Sequence, residues 1–244
     1  MVAANDSWVV ISGAGGALGR ALVSHFAAKG PVLALDRHFD AEAPPPQAVR
    51  RTLDLADEAE VRQALAEAIP ASASIALLVN AVGLIWNEPT LALKGARLHT
   101  HDLKSWRDVI EANLTAPFVV ATQVAARMVR RGGGAIVNFS SIASEGNPGQ
   151  AAYSAAKAGI EGLTRTMAIE LGPLGVRVNA LALGFIDVAT TREAVAEERL
   201  QGYVKKTPIG RLGQREDVIN AIEFFASNTF ANGTIVKLDG GLRL

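Results

Sequence analysis

The chain contains no cysteine. That excludes disulfides, zinc–thiolate sites, iron–sulfur clusters and a cysteine nucleophile. It also lacks an excess of either charge: 24 basic residues face 24 acidic ones. With no surplus of cations to neutralise phosphates, a nucleic-acid partner is not expected. No stretch reaches the roughly 18 uninterrupted apolar residues of a membrane-spanning helix. Met1–Trp8 has neither the positive start nor the long apolar run of a secretory signal. These absences predict a soluble cytoplasmic protein with no membrane partner.

What is present is ordinary globular material, 49% hydrophobic and 20% charged over 244 residues. Short aliphatic runs recur at Trp8–Ile11, Val32–Leu35, Ile75–Val79, Ala135–Phe139, Val176–Leu181 and Thr234–Leu238. Their continuous apolar character suits strands buried on both faces of a parallel sheet. Between them lie segments with helical spacing: Leu18–Ala28, Asp57–Ala68, Leu103–Arg130, Ala152–Leu171 and Glu216–Ala226. Alternation of this kind over the whole length predicts an α/β fold, a doubly wound parallel sheet with helices on both faces. No repeat and no linker divides the chain. The run Pro44-Pro45-Pro46 is too short to join domains and reads as a surface loop. Two segments break the rhythm, at about 84–104 and 185–213. Both follow strand carboxyl ends, where open α/β sheets place their ligands.

Val9-Val10-Ile11-Ser12-Gly13-Ala14-Gly15-Gly16-Ala17-Leu18-Gly19 reads as a strand, a glycine loop and a helix start. Amide groups at a helix amino terminus point at an anion, and small residues let it come close. The plainer reading is a tight turn without a ligand. The loop is out of register with G-x-G-x-x-G, because Leu18 stands where the third glycine would fall, and no Gly-Lys-Ser/Thr follows as in a Walker loop. Asp36 ends the second apolar run, 17 residues after Gly19. In a dinucleotide-binding fold such a carboxylate accepts from the ribose hydroxyls and repels a 2′-phosphate, favouring NAD over NADP. Arg37 and His38 pull the other way, and a capping role for Asp36 is the plain alternative.

Tyr153 and Lys157 are four residues apart in a helical segment and so share one face. A free phenol titrates near about 10, and a neighbouring ammonium favours its ionised form, which would tune it for acid/base work. The spacing alone also fits a surface pair. Ser140 and Ser141 end the run Ala135–Phe139, where a hydroxyl could stabilise a developing alkoxide or simply start a turn. Asn113 lies inside a helical segment, an unfavourable place for asparagine, and must find partners there. His99 and His101 form an H-x-H pair without a third ligand in sight, so no metal is expected.

Taken together, and from about Val9 to Gly241, these residues resemble the short-chain dehydrogenase/reductase family. Ser12, Gly13, Gly16, Leu18 and Gly19 lie in the stretch that looks like its cofactor loop, with serine in place of the usual threonine. Asp54-Leu55 looks like the pair beside the adenine, and Asn80-Ala81-Val82-Gly83 like the family's Asn-Asn-Ala-Gly element. Gly184 and Ile186 fall in the segment facing the nicotinamide, where Leu183 replaces a proline, and Leu238-Asp239-Gly240-Gly241 looks like the carboxy-terminal signature. The resemblance implies a single Rossmann-type domain of about seven strands and a catalytic set of Asn113, Ser141, Tyr153 and Lys157. Tyr153 would exchange a proton with the substrate oxygen. Lys157 would lower the phenol's pKa and bind the nicotinamide ribose, Ser141 would orient the substrate oxygen, and Asn113 would keep a water in a relay. Counting back from Tyr153 by the family's usual spacing lands on Ser140, whereas counting along the strand gives Ser141; strand register favours Ser141.

The implied activity is hydride transfer between NAD(H) and a secondary alcohol or ketone. Leu84-Ile85-Trp86 and Phe185-Ile186 predict an apolar pocket. Two alternatives stand beside it: an NADPH-dependent 3-oxoacyl-thioester reductase, and a non-catalytic dinucleotide-binding sensor or scaffold. The resemblance also implies a homotetramer, for which the apolar segment Pro117–Met128 would suit an interface.

Overall fold

A computed structural model describes residues 7–242; the reading of Met1–Trp8 as lacking a signal lies almost wholly outside them. The elements run β1 (Ser7–Ser12), α1 (Ala17–Ala27), β2 (Val32–Asp36), β3 (Ala48–Thr52), α2 (Glu58–Ala68) and β4 (Ser74–Asn80). Then come β5 (Leu91–Lys94), β6 (Arg97–Thr100), α3 (Leu103–Ile110), α4 (Ala116–Val129), β7 (Gly134–Ser141) and α5 (Ala151–Leu171). The chain continues with β8 (Val176–Leu183), α6 (Ala189–Ala194), α7 (Glu197–Lys206), α8 (Arg215–Ser227) and β9 (Ile235–Leu238).

Seven strands form one parallel sheet in the order β3-β2-β1-β4-β7-β8-β9. Successive residues of a strand face opposite sides, and the apolar runs obey this. Val9 and Ile11 pack under Leu22 and Phe26 of α1 and Val218 and Ile222 of α8. Val10, between them, joins the other layer with Val61 of α2, Val120 and Val124 of α4 and Met167 of α5. Both faces are therefore covered, which is why the strands read as unbroken aliphatic runs. The chain winds outward from β1 through β2 to β3, then returns to the far side of β1 as β4. That reversal opens a crevice at the carboxyl ends of β1 and β4, where the amide of Ala81 donates to the carbonyl of Ser12 at 3.0 Å.

Three features depart from the pattern read in the sequence. The seventh strand, β3, is Ala-Val-Arg-Arg-Thr at the sheet edge, half-polar and so absent from a search for apolar runs. The segment Leu103–Arg130 is not one regular helix: a π-turn at Glu111–Thr115 separates α3 from α4. The irregular stretch after β4 carries an antiparallel hairpin, β5 with β6, outside the main sheet. The continuous helical run Leu103–Val129 is long and apolar enough to cross a membrane by length and composition. Here one face of it packs on the sheet, with Val120, Val124 and Met128 fully buried, while Leu103 and Phe118 are exposed.

Leu78 is fully buried in β4 between Val10 and Ile136, whereas Leu98 on the hairpin is 72% exposed. Leu78→Ala is expected to cost about 2–5 kcal/mol of unfolding free energy. Leu98→Ala should change it by no more than about 0.5 kcal/mol. Urea denaturation of both variants measures the contrast.

Candidate active site

The glycine loop leaves β1 and enters α1 with Gly16 as its N-cap. No side chain caps the helix there and no acidic residue stands in the first turn. Its amide donors are thus left for an anion. The tightness of the turn explains two glycines. Gly13 has φ +73°, and a Cβ at Gly19 would lie 2.0 Å from the Gly13 carbonyl oxygen. Ser12 is buried, and its hydroxyl donates to Asn80 Oδ1 at 2.8 Å. Asn80 in turn donates to Asn138 Oδ1 at 2.9 Å and to the Pro117 carbonyl at 3.2 Å. Ser12 and Asn80 therefore fasten the strands that carry the loops.

Asp36 ends β2 against the same loop. Its Oδ2 accepts from the Gly15 amide at 2.8 Å and its Oδ1 from the His38 amide at 3.2 Å. Arg37 turns the other way, donating to Asp54 at 2.7 Å and to Glu111 at 3.3 Å. Burial works against the Asp54 charge, but Arg37 and the Ala56 amide outweigh it and hold the carboxyl below its usual range. Leu55, next in line, is buried.

A cavity of about 220 Å³ opens over the carboxyl ends of β4, β7 and β8. Leu18, Ala81, Gly83, Ser141, Tyr153, Lys157, Gly184 and Ile186 line it. So do Ile85, Ile142, Phe185, Val188 and Val195, which make it mainly apolar, with Asn147, Gln150 and Thr191 as further polar groups. Lys157 is the one charged side chain among the lining residues. Sequence reasoning assigned no site role to Asn147, Gln150, Thr191 of α6 or Val195 just after it. Neither Asn147 nor Gln150 belongs to a motif that fixes a role for it, and α6 lies in a segment whose conformation the residues alone did not specify. Phe185 stacks on Tyr203 with ring centres 4.1 Å apart, holding α7 against the rim. The opposite rim is tied down where Glu88 donates its amide to the Gly149 carbonyl at 2.7 Å and Gln150 donates to Asn87 Oδ1 at 2.8 Å.

Asn113 sits in the π-turn and is fully buried. Its Nδ2 donates to the carbonyls of Val109 and Leu84, each at 2.9 Å, and its Oδ1 accepts from the Leu84 amide at 3.1 Å. The side chain thus ties the helix at Val109 to the pocket loop at Leu84. Both hydrogens of its side-chain amide are committed to these carbonyls.

Strand alternation separates the two serines. Ser140 points its hydroxyl at α5, 3.1 Å from the Lys157 carbonyl and 3.0 Å from Glu161 Oε1. Ser141 accepts from the Ala143 amide at 3.1 Å and hydrogen-bonds the Tyr153 hydroxyl. Burial raises the Tyr153 pKa above its ordinary value and the Ser141 bond draws it partly back. Lys157 is buried, donating to the Phe139 carbonyl at 3.0 Å and the Val82 carbonyl at 3.3 Å. Its ammonium lies 5.6 Å from the centre of the Tyr153 ring. Burial pushes its pKa down to about 8. In the chain by itself the phenol responds to its burial and to Ser141.

Fold and site together define an oxidoreductase of the dinucleotide-binding α/β class. A family model described as enoyl-(acyl carrier protein) reductase matches residues 13–243. The 3-oxoacyl-[acyl-carrier-protein] reductase of Thermotoga maritima is 33% identical over 245 residues, covering 96% of each chain. Among solved structures, levodione reductase superposes with a TM-score of 0.86 at 26% identity, covering 97% of each chain. A gluconate 5-dehydrogenase from Burkholderia cenocepacia, solved with NADP and tartrate, gives 0.84 at 28% identity over 98% of this chain and 96% of its own. The chain belongs to the short-chain dehydrogenase/reductase family.

The Lys157 environment has a measurable sign. Its folded pKa of about 8 lies below the 10.5 of a free lysine. Between those values the unfolded chain holds more protons than the folded one, so stability contributed here rises with pH. The cost of burying the charge is full below the folded value and gone above the unfolded one. Relative to Lys157→Met, the native chain should therefore gain thermal stability from about pH 7 to about pH 10. A melting-temperature difference that stays flat or moves the other way contradicts this environment.

Proposed function

We propose that the protein transfers hydride between NAD(H) and a secondary alcohol or ketone of a mostly apolar small molecule, with Tyr153 as the general acid/base. The observation that carries this reading is the meeting of Ser141, Tyr153 and Lys157 in one apolar cavity beside the glycine loop.

The residues present fit a nicotinamide dinucleotide: the uncapped start of α1 offers amide donors, and Asp36 closes the loop at its side. Ser12, Gly13, Gly16, Leu18 and Gly19 would form the pyrophosphate cradle and Asp36 would accept from the adenosine ribose. Asp54 and Leu55 would flank the adenine. Asn80, Ala81 and Gly83 would shape the crevice floor, with Gly184 and Ile186 against the nicotinamide. The bound dinucleotide supplies or takes the hydride. Everything else falls to the chain. In reduction, the Tyr153 hydroxyl gives its proton to the substrate oxygen, and in oxidation the ionised Tyr153 oxygen takes that proton from the alcohol. The Ser141 hydroxyl holds the same oxygen and stabilises charge developing on it. The buried Lys157 ammonium sits beside the ring and stabilises the phenolate left behind. Asn113 keeps the kinked helix and the loop at Leu84 in register, so that a water can serve Lys157.

Asp36 favours NAD, and the engagement of Arg37 with Asp54 and Glu111 supports that choice, because it occupies the cation that would otherwise answer a 2′-phosphate. Neutral substrates follow from a lining whose one charged side chain is Lys157. A second reading, an NADPH-dependent 3-oxoacyl-thioester reductase, draws on the printed activity of the Thermotoga maritima relative and on the NADP in the Burkholderia cenocepacia structure. A single domain, a homotetrameric assembly and a cytoplasmic location belong to the first reading as well.

Two measurements test it. Fluorescence titration should show NADH binding at least about tenfold more tightly than NADPH; the reverse order moves the assignment to the second reading. Tyr153→Phe should lower kcat by about 100-fold or more while dinucleotide affinity stays within about threefold. Full turnover in that variant removes Tyr153 from the mechanism.

A further inference from the structure

Glu161 lies one helical turn beyond Lys157 and two beyond Tyr153 on α5. Its side chain is only 18% exposed. One carboxylate oxygen, Oε1, accepts from Ser140 at 3.0 Å and from Ser144 at 2.7 Å. The other meets Arg165 at 3.4 Å, an exposed contact of little energetic weight. The two hydroxyl bonds are therefore what the carboxylate is placed to make, and charge assistance makes them stronger than neutral ones. Ser140 and Ser144 stand on either side of Ser141. Ser140 precedes it in β7, and Ser144 follows it in the 3₁₀ turn Ile142–Glu145. The bend that presents Ser141 is thus gripped from both sides by one atom of the helix that carries Tyr153.

We propose that Glu161 is a positioning residue that fixes the Ser141 hydroxyl against Tyr153 through its bonds to Ser140 and Ser144. This rests on the reading that Ser141 and Tyr153 act on the substrate oxygen. The path from Ser141 to Tyr153 is one residue shorter than the family resemblance leads one to expect, so the bend has a different geometry to hold. The clamp supplies a fixed reference: Tyr153 and Glu161 share a rigid helix, and Ser141 is tied to that helix within three residues on either side. Without Glu161, Ser140 keeps its contact with the Lys157 carbonyl, but the Ser144 side of the bend loses its tie to the helix and Ser141 can shift relative to the phenol. A shift of about 1 Å at such a site costs up to about 100-fold in rate.

The test compares Glu161→Leu, which removes the acceptor, with Glu161→Gln, which keeps one. Glu161→Leu should lower kcat about 10- to 100-fold with the KM for dinucleotide changed less than about threefold. Its pH–rate limb belonging to Tyr153 should move to higher pH, because the Ser141 bond no longer favours the ionised phenol. Glu161→Gln should recover most of the rate and the limb. If Glu161→Leu does not fold, Ser144→Ala removes one of the two bonds at a half-buried position and should give a smaller loss with the same direction of pH shift. Unchanged kcat and pH profile in these variants, or a fall in kcat that tracks melting temperature and dinucleotide binding alike, overturns the proposal. Tyr153→Phe run alongside separates the two levels. A dead Tyr153→Phe with a fully active Glu161→Leu overturns the positioning role alone, whereas an active Tyr153→Phe overturns the catalytic reading beneath it.

Discussion

Helix α5 is joined to strand β7 by a ladder of polar contacts one helical turn apart. Lys157 donates to the Phe139 carbonyl at 3.0 Å, Glu161 accepts from Ser140 at 3.0 Å, and Thr164 accepts from Asn138 at 3.0 Å. Each rung is buried or nearly so, where an unmade bond costs more than a made one contributes. The ladder therefore fixes both the distance and the rotation of the helix relative to the strand. Tyr153 and Lys157 ride on one side of it and Ser141 on the other. Asn138 extends the contacts across the sheet to Asn80 and Ser12, so the glycine loop and the catalytic helix are referred to one hydrogen-bonded line.

The second constraint is the crossing of the chain between β1 and β4. It opens the crevice, and the elements after β4 and β8 close over it. Asn113 shows how local irregularity serves this closure. Within the π-turn, the Asn113 side-chain amide donates to the Val109 carbonyl, and the same amide pins Leu84 at the pocket's edge. The apolar walls of the pocket and its buried ammonium coexist because the ammonium is satisfied by backbone oxygens.

Most of the frame was legible in the residues. Strands buried on both faces have to be aliphatic throughout, so Val9-Val10-Ile11 and Leu33-Ala34-Leu35 announce themselves, and the helices between them show their spacing to within a residue or two. β3 was not legible, because at the sheet edge it is only half-buried and its two arginines break the aliphatic run that marks the other strands. The hairpin β5–β6 was hidden for a related reason: Leu91, Leu93 and Leu98 are exposed, so their periodicity answers to no core. At the site, helical spacing put Tyr153 and Lys157 on one face but fitted a surface pair as well, the family resemblance supplied their role, and strand register chose Ser141 over Ser140. Glu161 was invisible in sequence, since an acidic residue on a helix is usually solvated and only the packing of α5 on β7 turns this one inward. The engagement of Arg37 with Asp54 and Glu111 likewise depends on residues 17 and 74 positions away.

The account turns on Tyr153 becoming an effective acid/base when charge is brought up to a phenol that burial alone holds in its neutral form. The chain has two tyrosines, Tyr153 and Tyr203, so tyrosinate absorbance can be followed one residue at a time. The decisive measurement is ultraviolet difference titration of the free protein and of its complex with oxidised dinucleotide, with Tyr153→Phe as the assignment control. The account predicts that one tyrosine ionises at lower pH in the complex than in the free protein, and that this shift disappears in the control. A titration that the dinucleotide leaves unmoved, or a shift that survives in Tyr153→Phe, would contradict it.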